Sequence, residues 1–291
     1  MSGDSKTITI IGKHSITYIG DHEANTYSDA DPSHDHMKLT LYGKGGYDNL
    51  TGLSGNDFIS GGSSDDILSG GVGNDKIYGG VGIDLLYGDD GDDKLYGQAD
   101  DDDIHGGSGK DRLVGGRGAD HLDGGEGADT LSGGAGNDKL DGGEGADSLS
   151  GGKGDDNLLG GTGDDVLIGG AGVDNLTGES GADTLIGGAG KDYFTFGFLD
   201  SSTPESTDVI MDFEHGVDII DLSSLFVDQD YQQGFSFIGS QDFSHTAGEL
   251  NYQIVDGRGV LSGDVDGDGN ADFQVVLANS ANLMADDLWL P

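Results

Sequence analysis

From Gly43 to Thr195 an apolar residue returns at every ninth position, and the positions between carry glycine or polar residues in a constant order. This stretch divides into 17 blocks of nine without insertion or deletion, of which Gly70-Gly71-Val72-Gly73-Asn74-Asp75-Lys76-Ile77-Tyr78 is a clean example. Position one is Gly in all 17 blocks, position six is Asp in all 17, and position eight is always Leu, Ile or Phe. Position two is Gly in 12 blocks, the others holding Lys44, Leu53, Asp89, Gln98 and Glu179; position four is Gly in 15, the others holding Ser64 and Asp100. Position eight is flanked at seven and nine by residues that are often polar, which is a short strand with one face inward and the other to solvent. Glycine at one, two and four predicts a tight turn with positive φ. Turn, strand, turn, strand makes a coil of about 18 residues, and such units bury their apolar faces only by stacking. The predicted fold is therefore all-β: a right-handed parallel β-roll, or β-solenoid, with odd blocks in one sheet and even blocks in the other.

The flanks alternate without the nonapeptide. Thr7-Ile8-Thr9-Ile10-Ile11, Ser15-Ile16-Thr17-Tyr18-Ile19 and Lys38-Leu39-Thr40-Leu41-Tyr42 predict a β cap over residues 1–42 that covers the open first coil. Residues 43–195 form the roll, and residues 196–291 a second β-rich cap. Between the N-terminal strands, Asp29 to His36 holds two His and three Asp in a spacing that matches no defined metal site and reads as a surface loop.

Composition sharpens this. The chain has 291 residues, 58 Gly, 55 Asp or Glu, 13 Lys or Arg and no Cys, for a formal net charge of −42. Such charge opposes binding to nucleic acid and anionic lipid. The absence of cysteine excludes a disulfide framework and a thiol nucleophile. No apolar run reaches the ~18 residues of a membrane span, so no stable membrane insertion is expected. Met1 to Lys6 lacks the layout of a cleaved secretory signal. Low hydrophobicity with high charge is otherwise the composition of a disordered chain, and one apolar residue in nine is a thin core. Within the repeat 31 acidic residues face 9 basic ones. The chain is therefore expected to be largely unfolded without cations and to fold when cations that bind only the folded state neutralise the turns.

The nonapeptide resembles that of the repeats-in-toxin (RTX) family, the haemolysin-type calcium-binding repeat. The resemblance implies Ca2+ held between neighbouring turns by turn carbonyls and by the position-six aspartates of stacked blocks. Those are Asp48, Asp57, Asp66, Asp75, Asp84, Asp93, Asp102, Asp111, Asp120, Asp129, Asp138, Asp147, Asp156, Asp165, Asp174, Asp183 and Asp192. If every gap fills, the ceiling is about 15 ions, with the blocks holding Ser64 and Asp100 the weakest. Asp208 to Leu222 and Gly263 to Phe273 resemble the capping flank of serralysin-type proteases, and the resemblance implies an uncleaved type I export signal toward Leu283–Pro291. Asp264, Asp266, Asp268 and Asp272 are candidate additional metal ligands in an EF-hand-like loop start. The twelfth position is Val275 instead of Glu and no helices flank it, so a β-hairpin turn is expected.

No catalytic constellation is present: neither His-Glu-x-x-His nor Gly-x-Ser-x-Gly occurs. Lys76, Lys94 and Arg112 occupy position seven of alternate blocks, with Tyr78 and Tyr96 at position nine beside them. This row is a candidate contact for an anionic polysaccharide, similar in kind to the repeat modules of mannuronan epimerases, although an ordinary solvent-facing ladder is the favoured reading. The expected function is a secreted, extracellular, non-enzymatic calcium-binding protein, a client of the type I secretion apparatus, with a surface, matrix or host-interaction role. The alternative is the binding or stabilising module of a secreted enzyme such as a mannuronan C5-epimerase or a serralysin-type protease. The initiating Met and the N-terminal cap favour the first.

Overall fold

The computed structural model describes residues 7–10, 15–27, 37–197, 206–225, 234–279 and 282–290. The acidic histidine-containing segment 29–36 and the N-terminal residues 1–6 lie outside the described residues. The chain forms two compact units, Met1–Glu144 and Gly145–Pro291. Both are all-β, and among the described residues the one helical element is a 3-10 turn at Ala285–Asp287.

In the first unit one sheet runs, in parallel pairing, through Ser15–Ile19, Lys38–Tyr42, Phe58–Ser63, Lys76–Val81, Lys94–Ala99, Arg112–Arg117 and Thr130–Ala135, with Thr7–Ile10 antiparallel at its start. The facing sheet runs through Thr26–Tyr27, Asn49–Ser54, Ile67–Val72, Leu85–Asp90, Asp103–Ser108, His121–Glu126 and Lys139–Glu144. Successive strands of the chain thus alternate between sheets, as a β-solenoid requires, and the three expected N-terminal strands continue the first sheet.

In the second unit one sheet holds Ser148–Lys153, Val166–Gly172, Thr184–Gly190, Asp208–Ile210 and Phe273–Leu277 in parallel. It then turns antiparallel through Arg258–Asp264 and Glu249–Val255. The other sheet holds Asn157–Thr162, Asn175–Ser180, Tyr193–Thr195, Ile219–Asp221 and Leu288–Trp289.

Position eight fills the core. Leu50, Ile59, Leu68 and their successors through Leu185 and Phe194 are all within 1% of complete burial. The strands are longer than the three residues the alternation predicts: Asn49–Ser54 runs six and buries every second residue. Position-one glycine therefore occupies a second inward-facing strand position instead of the turn.

This separates the roles of the glycines. Positions two and four take positive φ, as in Gly71 (100°) and Gly73 (133°). Position one is needed for space: a side-chain carbon on Gly70 would collide with the Asp75 carboxylate and lie 2.8 Å from the Gly88 carbonyl oxygen. Of the residues that replace glycine at positions two and four, all but Leu53 keep the left-handed backbone. Lys44, Ser64, Asp89, Gln98, Asp100 and Glu179 have φ between 68° and 90°. The turns of Ser64 and Asp100, expected to be the weakest, thus hold the geometry of their neighbours at a conformational cost of about 1–2 kcal/mol per residue.

Replacing Gln98 with Gly removes that cost and adds back some unfolded-chain entropy. Denaturant unfolding of the calcium-loaded protein should show Gln98→Gly more stable by about 0.5–1 kcal/mol. Gly116→Ala, at φ 124° with the Gln98 carbonyl in the way, should be less stable than the parent. Equal stability of Gln98→Gly and parent would contradict the backbone assignment.

Candidate metal centre

The 17 position-six aspartates are buried, none more than 3% exposed, although each carries an ionisable group. Within each unit the strand ladder places them one above another at 18-residue steps. In each step the Oδ1 atom accepts a hydrogen bond from the backbone N–H of the aspartate one coil earlier. Asp48 N–H donates to Asp66 at 2.7 Å, Asp75 to Asp93 at 2.6 Å and Asp102 to Asp120 at 2.9 Å in the first unit. Asp147 donates to Asp165 at 2.7 Å and Asp174 to Asp192 at 3.0 Å in the second.

The other carboxylate oxygen has a different fate. In Asp48, Asp57, Asp66, Asp75, Asp84, Asp93, Asp102, Asp111 and Asp120, Oδ2 is buried with no hydrogen-bond partner; so it is in Asp165, Asp174, Asp183 and Asp192. Each points at the Cα of the position-one glycine of its own block, where the position-one carbonyl of the next coil also arrives. At Gly43 those atoms are Asp48 Oδ2 and Gly61 O; at Gly160 they are Asp165 Oδ2 and Gly178 O. Carbonyls at positions two and four of one coil face the same positions of the next, as Leu53 O faces Gly71 and Gly55 O faces Gly73. The gap between stacked turns is thus lined by carboxylate and main-chain carbonyl oxygens. A buried carboxylate oxygen without a partner costs several kcal/mol. Hard oxygens from carboxylates and main-chain carbonyls are the donor set that suits calcium, so the residues present fit that ion.

Electrostatics point the same way. Burial pushes the Asp66 and Asp75 carboxyls up to about 7, and Asp102 up to about 8, with neighbouring aspartates adding to each rise. Asp57, Asp111 and Asp183 rise to about 6 for the same leading reason.

Three features lie beyond the sequence-predicted set. The roll geometry starts earlier than the first block: Asn25 N–H donates to Asp48 at 2.7 Å. It also ends later, because Asp183 donates to Asp208 and Asp192 to Asp218. Asp218 differs from the repeat aspartates in that its Oδ2 accepts from Glu214 N–H at 2.7 Å, so the protein itself satisfies both oxygens. The signal was present in Asp208-Val209-Ile210 and Asp218-Ile219-Ile220, each the Asp-x-apolar half of a block without its glycine turn. Position five also forms a ladder, running the opposite way: Asn56 accepts from Asn74 N–H, Asp65 from Ile83 N–H and Asp92 from Lys110 N–H.

Asp264, Asp266, Asp268 and Asp272 lie in the turn between antiparallel strands Arg258–Asp264 and Phe273–Leu277, the expected hairpin. Carboxylate oxygens of Asp264, Asp266 and Asp268 fall within 4.8 Å of one another. Asp264 accepts from Gly267 and Gly269 N–H, and Asp272 from Val265 and Asp266 N–H, so the backbone already engages both.

Lys76, Lys94 and Arg112 stand in register on three adjacent strands. Tyr78 and Tyr96 stack at 4.8 Å with planes 13° apart, and Lys76 Nζ lies 5.1 Å from the Tyr78 ring centre. Phe58 and Tyr42 extend the aromatic row at 5.7 and 5.5 Å. An open cleft of about 470 Å³ beside it is lined by Lys38, Lys76, Lys94, Lys110 and Arg112 and by the carboxylates of Asp57, Asp75, Asp92 and Asp93.

Comparison with known proteins agrees with this geometry. The family described as "RTX calcium-binding nonapeptide repeat (4 copies)" matches residues 42–77, 78–113, 105–140, 132–167, 141–175 and 168–198. No curated protein matches the chain. Among solved structures, the chain is similar to the solution structure of a subunit of the mannuronan C5-epimerase from Azotobacter vinelandii. The identity is 26%, over 66% of this chain and 79% of that one, with a TM-score of 0.27.

The raised carboxyls fix the sign of a pH effect. A group whose folded pKa lies above its unfolded value near 3.8 binds more protons when folded, so stability is full below that value and is lost as pH rises through about 6 to 8. In chelator, far-UV circular dichroism should show more strand at pH 5 than at pH 8; with calcium the two should coincide. More strand at pH 8 than at pH 5 in chelator would refute it.

Proposed function

The chain belongs to the family of RTX calcium-binding nonapeptide repeat proteins, and from that premise we propose that it is a secreted, non-enzymatic protein whose roll folds when it meets external calcium. The observation that carries this reading is the repeated buried Asp Oδ2 without a protein partner. In this reading the position-six aspartates from Asp48 to Asp192 hold the ions with the turn carbonyls, up to about 15 in all. Calcium, when bound, supplies the positive charge that the oxygen-lined gaps lack. Residues 1–42 and 196–291 act as caps, and Asp264, Asp266, Asp268 and Asp272 are a further candidate site. Export through a type I apparatus is supported by the resemblance of the C-terminal flank to exported relatives. A chain that stays unfolded at low calcium and folds at high calcium would be passed outward in one direction only. The alternative, a module of a larger secreted enzyme, uses the same calcium chemistry.

The surface offers one ligand-binding face consistent with either role. Cations in register beside stacked rings suit an anionic polysaccharide, the carboxylates meeting Lys76, Lys94 and Arg112 and the sugar faces meeting Tyr78 and Tyr96.

Two measurements test these readings. Equilibrium dialysis should show several calcium ions per chain, taken up together with the gain of strand in circular dichroism. Asp93→Ala, which borders two gaps, should bind one or two ions fewer; an unchanged count would remove the position-six aspartates from the ligand set. Separately, Lys76→Ser/Lys94→Ser/Arg112→Ser should elute earlier from an alginate column in calcium, and unchanged retention would reject the polysaccharide face.

A further inference from the structure

The outer face of the second sheet in the first unit carries a cluster that the calcium turns do not use. Asp103 pairs in register with His121 on the next strand, and His105 pairs with Tyr87 on one side and Asp123 on the other. Two imidazoles converge on a single carboxylate oxygen: His121 Nδ1 lies 2.8 Å and His105 Nε2 3.2 Å from Asp103 Oδ1. The other nitrogen of His105, Nδ1, faces Asp123 Oδ2 at 3.5 Å. The Tyr87 ring lies against the His105 ring at 5.1 Å with planes 12° apart, which holds the imidazole plane. All four side chains are partly exposed, between 31% and 47%, so an ion can reach them.

We propose that His105, His121 and Asp103 form a site for a divalent transition metal, Zn2+ or Cu2+, separate from the calcium turns, with Asp123 orienting His105. Imidazole nitrogen is a borderline donor that suits these ions and not calcium, which takes oxygen. Two nitrogens and a carboxylate are enough protein ligands to hold zinc while leaving a coordination position open to solvent. A proton on His105 Nδ1, donated toward Asp123, leaves Nε2 bare on the side of Asp103; a carboxylate behind a ligating histidine raises its basicity in the same way. The strands beneath are fixed by the parallel ladder, so taking up an ion requires the two imidazoles to turn toward it on a stationary backbone.

The test uses the full chain with calcium in excess, so that the roll is folded throughout. Isothermal titration with ZnCl2 at pH 7.5 should show a zinc step that His34→Ala/His36→Ala, which alters the other histidine pair, retains. His105→Ala/His121→Ala should weaken that step by 100-fold or more, and Asp123→Asn by roughly 10-fold. With Cu2+ in the His34→Ala/His36→Ala protein, electron paramagnetic resonance should show hyperfine splitting from two imidazole nitrogens. Unchanged zinc affinity in His105→Ala/His121→Ala would overturn the proposal. So would loss of the zinc step in His34→Ala/His36→Ala, or the absence of nitrogen splitting in that protein. The spectroscopic arm leaves the proposed ligands intact, so absence of nitrogen splitting overturns the proposal even if a cluster variant folds poorly.

Discussion

Everything in the roll depends on how a buried carboxylate is neutralised. The turn brings Asp Oδ2 inside, seals it beneath the next coil, and gives it a backbone carbonyl as neighbour, an arrangement that repels itself. Position-one glycine is what allows the carboxylate and that carbonyl to approach so closely. The single apolar residue per block is completely buried yet small in area, so it cannot by itself hold such a gap shut. In the proposed reading the fold is conditional in a way that ordinary cores are not, its compact state defined as much by a counter-charge as by packing.

The two hydrogen-bond ladders in the turns give the stack a direction. Position six accepts from the coil before and position five from the coil after, so a turn with Asn or Asp at position five is clamped from both sides by side-chain oxygen. The clamps are charge-assisted wherever Asp supplies them, and they occupy one carboxylate oxygen while leaving the other facing the gap. The same 18-residue step that aligns the aspartates aligns surface chemistry. Like side chains become rows, as with Lys76, Lys94 and Arg112, while unlike ones become mixed clusters, as with Asp103, His105, His121 and Asp123.

Much of this was legible in the sequence, because period and alternation are properties of single residues. Position eight as the core and position six as the repeated carboxylate follow from invariance of residue type at one spacing. Position five was not legible: its role depends on which N–H of the neighbouring coil comes within reach, and Tyr47 or Lys191 there hides the pattern that Asn56 and Asp65 show. Asp208 and Asp218 were missed because the steps leading to them are 25 and 26 residues long. The histidine cluster was hidden differently. Asp103 and His121, like His105 and Asp123, are one coil apart, a relation with meaning only once the coil length is taken as a distance in space.

A repeat this regular has a frame problem. Shifting one strand by a full coil would place glycine on glycine, aspartate on aspartate and leucine on leucine, leaving the interior almost unchanged. What distinguishes the correct frame is at the ends, where Asn25 meets Asp48 and where Asp218 closes on the Glu214 backbone. These two non-repeating junctions act like the start and stop of a reading frame, against which a whole-coil slip registers as a mismatch.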